Sequence, residues 1–335
     1  MKENIEKKLN GMIRILGQHG NFNRIEFGNA LWNSVIRPSI AHGCAIWFTS
    51  SQTQSNLLQS LQYKAAKIIL KTKMNIPINA TLIELGWEPI NNFLDRQRIA
   101  YFSRFSNLPS SRLCKQVYEE LSNSNHSAQE WPYFKYVKSV FEGVGLDHFI
   151  QGNFSLKTFN KFFGSISREE QFVDINKKTT LNLYSTLNIR GGTQNYLINL
   201  NNFDSSRLKF LARTNCLPIN SVLFRMKARS NAKCDMCQSN AEEDLKHVLL
   251  DCPFYTELRT NMITSITELL YKANSNIDFT GLSPVDKIRF LIGDLGYILS
   301  EIVGNDVDIK CKEYLSDVFE KRSQVVCINQ SYAVI

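Results

Sequence analysis

From Lys233 to Pro253 the chain reads "KCDMCQSNAEEDLKHVLLDCP" and holds three of its eight cysteines and one of its five histidines. The spacing is C-x2-C-x9-H-x4-C, which brings Cys234, Cys237, His247 and Cys252 into one short stretch. Thiolates and imidazole are the ligands that Zn2+ takes in a tetrahedron, and a C-x2-C turn supplies two of them from a single loop. Four protein ligands fill that tetrahedron and leave no open position for a substrate, so the chemistry is structural. The other reading is a pair of thiols at chance spacing, followed by a helix whose His and Cys only pack. No residue close by in sequence is an obvious general base.

The second pair of ligands needs an element to carry it. "AEEDLKHVLLD" reads as a helix, with Glu242, Glu243 and Asp244 favouring its N-terminus and Leu245, Val248 and Leu249 forming an apolar side. On a continuous α-helix Cys252 would point about 140° away from His247. Pro253 disfavours the helical conformation at Cys252, so the helix should end near Asp251 and let the chain fold back.

Upstream, residues 205–233 contain no acidic side chain and seven basic ones: Arg207, Lys209, Arg213, Arg225, Lys227, Arg229 and Lys233. They are candidate phosphate contacts. Phe210, Phe224 and Tyr255 are candidate stacking partners for unpaired bases, or else core. A second basic stripe, Lys64, Lys67 and Lys71, flanks the helix expected in "SNLLQSLQYKAAKIILKTK", whose core face is Leu58, Leu61, Ala65 and Ile68. That stripe is either a solvated edge or a row of phosphate contacts.

The whole chain sets the context. It has 335 residues, 43% hydrophobic and 11% aromatic, which makes it globular and long enough for two or three domains. Its 39 Lys+Arg against 31 Asp+Glu give a net charge of +8, a balance that favours a polyanionic partner. "MKENIEKKLN" lacks the apolar region of a secretory signal. The uncharged run from Pro38 to Tyr63 carries Ser, Thr, Gln, Asn and His throughout, which argues against a membrane span. A soluble intracellular chain, cytoplasmic or nuclear, is expected. There, closely spaced cysteines are metal ligands more often than disulfides. Cys44, Cys114, Cys216, Cys311 and Cys327 are scattered and read as packed side chains.

The fold expected is mainly α, in four consecutive parts. Residues 1–105 form a helical segment, with a break at Arg37-Pro38, a turn at Gly86 and Pro89, and a helix from Phe93 to Phe105. Residues 106–200 form a linker and an irregular middle, the border lying in the Ser/Asn-rich stretch 106–128. "IRGGTQ" lacks the spacing and the lysine of a phosphate loop and reads as a turn. Residues 201–262 form the basic stretch plus a small zinc-stabilised loop–helix module, and 263–335 a helical tail.

The stretch "LARTNCLPINSVLFRMKARSNAKCDMCQSNAEEDLKHVLLDCPFYTELR" resembles the C-terminal region of non-LTR retrotransposon reverse transcriptases. Leu217, Pro218, Asn220, Cys234, Cys237, His247, Cys252, Pro253, Tyr255 and Arg259 stand at the matching positions. "VIRPSIAHGCAIW", "LQSLQYKAAKIIL" and "LIELGWEPINNFLDRQRIAYFSRF" are similar to the helical segment that follows the thumb of such polymerases, and "DKIRFLIGD" and "KEYLSDVFEKR" to their helical tail. The family's polymerase holds two metal ions with adjacent aspartates, and this chain has no Asp-Asp dipeptide. Its first residues already correspond to the region downstream of that core. Glu119-Glu120 and Glu169-Glu170 are pairs of the kind found on solvated helix faces.

The resemblance implies a non-enzymatic, zinc-stabilised accessory module that binds RNA or DNA, or that acts in cis with a polymerase portion. The alternative is a non-catalytic structural or protein-interaction remnant of a mobile element.

Overall fold

The structure is a computed structural model. It describes residues 2–18, 23–44, 51–123, 132–146, 155–187, 189, 191–198 and 202–332, with backbone alone at 118, 121–123, 297 and 326–332. Among these residues there is no β-strand, only two isolated antiparallel bridges, Leu85 with Thr193 and Lys233 with Glu242. Among the described residues no helix is long and apolar enough to cross a membrane. The mainly α expectation holds and extends into the middle, where Leu113–Asn123, Pro132–Gly143 and Leu156–Asn176 are helices. Residues 124–128 of the expected border, and with them 129–131, Ala45 to Ser50, Arg190 and the side chain of Cys327, lie outside the described residues.

Contacts divide the chain into two compact units that interleave in sequence, where four consecutive parts were expected. Met1–Phe22, Phe27–Ile69 and Trp87–Asp174 form the first; Asn23–Glu26, Leu70–Gly86 and Ile175–Ile335 form the second. Long-range pairing draws residues 70–86 into the second unit: Glu84 pairs with Arg213, and Thr193 Oγ1 donates to the Leu85 carbonyl at 2.9 Å.

In the first unit, Ile5, Leu9, Met12 and Leu16 recur at steps of three and four along helix Lys2–Gln18, and all are buried. Arg37-Pro38 does not break the chain. A π turn over Trp32–Ile36 leads straight into helix Arg37–Ala41, which carries Pro38. Helix Gln52–Ile69 buries Leu58, Leu61 and Ala65 as its spacing predicts, with Ile69 rather than Ile68 fully covered. Lys64 is exposed, and Lys67 Nζ lies 5.4 Å from the Tyr63 ring centre.

Gln62, buried on that helix, ties down the next one. Its Nε2 donates to the Glu88 carbonyl at 2.8 Å, and its Oε1 accepts the Ile90 N–H at 2.9 Å at the start of helix Ile90–Ser106. Trp32 stacks on Trp87 with ring centres 4.6 Å apart, and Trp87 Nε1 donates to Asn29 Oδ1 at 3.0 Å. A core of Ile99, Phe102, Tyr133, Val137, Phe141, Phe159 and Phe163 completes the unit.

The second unit is built on helix Glu301–Tyr332, the expected tail, against which helices Phe203–Arg213 and Thr256–Lys272 pack. Gly86 and Gly192, both at positive φ, let two turns meet: a Cβ on Gly86 would lie 2.4 Å from the Gly192 carbonyl carbon. The Gly-Gly stretch is a turn, as expected.

Two candidate phosphate contacts prove to belong to the frame. Lys209 and Arg213 are fully buried. Lys209 pairs with Asp308, which also pairs with Lys312 at 2.9 Å. Arg213 Nε pairs with Glu84 at 2.8 Å and its Nη1 donates to the Ile292 carbonyl. Burial works against the charge on Arg213, but Glu84 holds it protonated more firmly than usual. Neither cation can reach a phosphate. Lys71 is exposed but lies off the helical stripe: the helix carrying Lys64 and Lys67 ends at Ile69, and Lys71 sits in a left-handed turn (φ 49°) whose carbonyl accepts from Arg207. Phe210 and Tyr255 are also fully buried and are core. Of the cysteines expected to pack, Cys44, Cys216 and Cys311 are buried and Cys114 is exposed.

Asp308 makes the frame sensitive to acid. Burial opposes its ionisation, but Lys209 and Lys312 outweigh that and hold the carboxyl below its ordinary range. Its contribution is therefore complete above the unfolded-state value of about 3.9 and is lost as pH falls through the lower folded value. Urea midpoints measured down from pH 7 should fall below about pH 4. Asp308→Asn should cost about 3–5 kcal/mol at pH 7, because it leaves two buried ammonium groups without a counter-charge, and should flatten that acid slope.

Candidate metal centre

Short helix Asn220–Arg225 and an exposed connection lead from helix Phe203–Arg213 to the Cys hairpin. The hairpin is closed by backbone bonds on both sides of the Lys233–Glu242 bridge: Cys234 N–H donates to the Ala241 carbonyl at 2.9 Å and Glu243 N–H to the Ala232 carbonyl at 2.8 Å. The backbone N–H groups of Met236 and Cys237 point at the Cys234 sulfur, the arrangement in which a C-x2-C turn stabilises a thiolate.

The acidic stretch behaves differently from the N-terminal charges of an expected longer helix. Glu242 lies in the bridge, Glu243 is buried, and only Asp244 caps, accepting the His247 N–H at 2.7 Å. The helical turn then runs His247–Asp251 as a π turn, in which Cys252 N–H donates to the His247 carbonyl at 2.7 Å. Cys252 itself is extended (φ −61°, ψ 121°), as expected of a residue before proline. One added residue in the turn brings Cys252 back toward His247, removing the angular mismatch of an α-helix.

Cys234, Cys237, His247 and Cys252 consequently converge, with one ligand atom from each within 4.8 Å of the others. Cys234 Sγ lies 4.0 Å from Cys252 Sγ, and Cys237 Sγ lies 3.4 Å from His247 Nε2. With Zn–S bonds of about 2.3 Å and Zn–N of about 2.0–2.1 Å, a regular tetrahedron has S–S edges of about 3.8 Å and S–N edges of about 3.6 Å. The two edges above lie close to those values, and the donor set of three sulfurs and one imidazole fits a single zinc ion. Burial pushes the Cys234 thiol up to about 12. Burial opposes the Cys237 thiolate too, but the Ser239 hydroxyl and N–H and the His247 ring bring it down to about 6.

A buried polar network holds the hairpin from behind. Glu243 is fully buried beside Cys234, its Oε1 4.0 Å from the sulfur. Its Oε2 accepts from Arg322 Nη2 and from the Asn220 N–H, both at 2.7 Å. Asn220 Nδ2 donates to the Lys233 carbonyl at 2.6 Å and Arg322 Nη2 also reaches Asn220 Oδ1 at 3.1 Å. Arg259 donates to the Leu249 and Cys252 carbonyls at the end of the ligand turn, and Tyr314 Oη to Leu249 at 2.6 Å. Asn220 and Arg259 were in the motif that carried the resemblance. Arg322 closes the tail stretch "KEYLSDVFEKR", but nothing local pairs it with Glu243, 79 positions away.

The remaining candidates sort by exposure. Arg225, Lys227, Arg229 and Lys233 are exposed along the connection, as is Phe224, whereas Arg207 is half-exposed and pairs with Asp204 at 3.1 Å.

A family described as zinc-binding in reverse transcriptase matches residues 186–258, which hold all four ligands. No curated protein and no solved structure matches the chain. Residues 186–258 are thus similar to a zinc-binding family of reverse transcriptases, and their Cys3His cluster could hold a single metal ion.

The purified chain should carry one zinc ion, absent from a Cys234→Ser/Cys237→Ser variant, as read by elemental analysis. Glu243→Gln keeps all four ligands but weakens the partner of Arg322. It should lower zinc affinity by about 10–100-fold in competition with a chromophoric chelator.

Proposed function

We propose that the chain is a nucleic-acid-binding accessory module derived from a non-LTR retrotransposon reverse transcriptase, held in shape by zinc and without polymerase chemistry of its own. The observation that carries this reading is the exposed connection from Phe224 to Lys233 leading into the metal hairpin. Arg229 is paired with Asp235, but Arg225, Lys227 and Lys233 have no carboxylate partner among the described residues. Arg225 donates only to the Asn215 carbonyl, at 2.6 Å. Exposed cations on a surface fixed at both ends meet a phosphate backbone with little ordering cost. The ends are fixed by Asn220, which grips the Lys233 carbonyl, and by the metal ligands that follow.

Zinc, in this reading, does no chemistry on a substrate. It fixes the hairpin and hence the direction in which the connection faces. A protein-interaction role has the exposed Phe224 and Met226 in its favour. The two readings differ in their dependence on salt.

Binding of the zinc-loaded chain to a labelled oligonucleotide should weaken steeply between about 50 and 200 mM salt, because phosphate neutralisation releases counterions. Lys227→Ala/Lys233→Ala should reduce the slope of log affinity against log salt by about 2, with Tm unchanged. A salt-insensitive affinity, or an unchanged slope in the double variant, would overturn the proposal.

A further inference from the structure

We infer that the connection binds unpaired rather than duplex nucleic acid, with Phe224 as the platform for a base and Lys227 as the phosphate contact beside it. The inference rests on the nucleic-acid reading above.

The helix at this surface is built wrongly for a groove. Duplex readers of the helix-turn-helix and zinc-finger kinds present the N-terminal part of a helix to the bases. Helix Asn220–Arg225 has six residues, and its N-terminal end is engaged inward: Asn220 is fully buried against Glu243 and Arg322, and Ser221 N–H donates to the Glu243 carbonyl. Its exposed residues, Phe224 and Arg225, stand at the C-terminal end.

That C-terminal end carries an aromatic ring. Phe224 is 49% exposed and Met226 37%, and Phe224 has no aromatic or cationic partner among the described residues. An exposed ring with a free face suits any base, since every base has a π-face, and it is of no use to a stacked duplex.

Lys227 is independently unusual. Lys227 N–H donates to the Phe224 carbonyl at 2.9 Å and Ala228 N–H to the Leu223 carbonyl at 2.8 Å, the two bonds of a Schellman closure. Lys227 occupies its left-handed position at φ 58°, where glycine is the residue the backbone prefers. The fold gains nothing from the ammonium group, which is exposed and has no carboxylate partner among the described residues. The closure fixes Lys227 within one turn of Phe224, so a base on the ring would have its own backbone near the ammonium.

The test is fluorescence anisotropy on the zinc-loaded full chain across a series of salt concentrations, with a short unstructured RNA, a single-stranded DNA of the same length and a matched duplex compared at each. The variants are Phe224→Ala, Phe224→Leu and Lys227→Gly, each with its Tm. Either single strand should bind more tightly than the duplex. Both Phe224 variants should weaken single-strand binding by about fivefold or more and leave duplex binding alone. The leucine keeps the apolar bulk and removes only the π-face. Lys227→Gly should weaken binding and lower the salt slope by about 1 while Tm holds or rises. Equal binding of the duplex, or indifference to Phe224→Leu, would overturn the inference and leave the nucleic-acid reading standing. Absence of salt-sensitive binding to all three probes would overturn both.

Discussion

The ion pair between Glu243 and Arg322 is the contact on which the metal module rests. Burying a carboxylate costs several kcal/mol unless its oxygens are satisfied, and here they are met by a guanidinium and a backbone N–H. The pair joins three pieces of chain far apart in sequence: the start of the short helix at Asn220, the hairpin at Glu243 and the long C-terminal helix at Arg322. Cys234 sits against the same carboxylate. The placement of the hairpin is thus decided by packing and hydrogen bonds as well as by a metal. That is how an outer shell orients ligands that are themselves only loosely determined by their spacing.

The same logic separates the cations into two kinds. Lys209 and Arg213 lie in an unbroken basic run with Arg225, Lys227 and Lys233, yet they face the opposite way. Helix Phe203–Arg213 packs against the C-terminal helix, which carries Asp308, and Glu84 arrives from a distant segment. Buried cations require counter-charges, and these were invisible in a window that contains no acid. Past Asn220 the chain leaves the core, and the basic side chains that follow are free of it. Local charge density reports both kinds alike.

A closed four-ligand site, an exposed cationic edge beside it and a family match that spans both give a consistent account of the second unit. In the proposed function the metal supplies shape and the connection supplies contact. Tyr255, Phe210 and the C-terminal helix supply the apolar mass against which that shape is held.

Several features were legible in the residues alone. The ligand set was, because thiols and imidazole at C-x2-C-x9-H-x4-C have few other uses. The end of the ligand turn at Asp251 was, because Pro253 restricts Cys252. So were the helical faces of Lys2–Gln18 and Gln52–Ile69, since apolar periodicity is a local property. Tertiary structure decided the rest. It drew residues 70–86 into the second unit, inserted the π turn that aligns Cys252 with His247, buried Lys209 and Arg213, and matched Glu243 to Arg322. The physical reason is common to all four: a pattern along the chain states which groups must leave water or find a partner, but the partner is chosen by packing between segments that no local window contains.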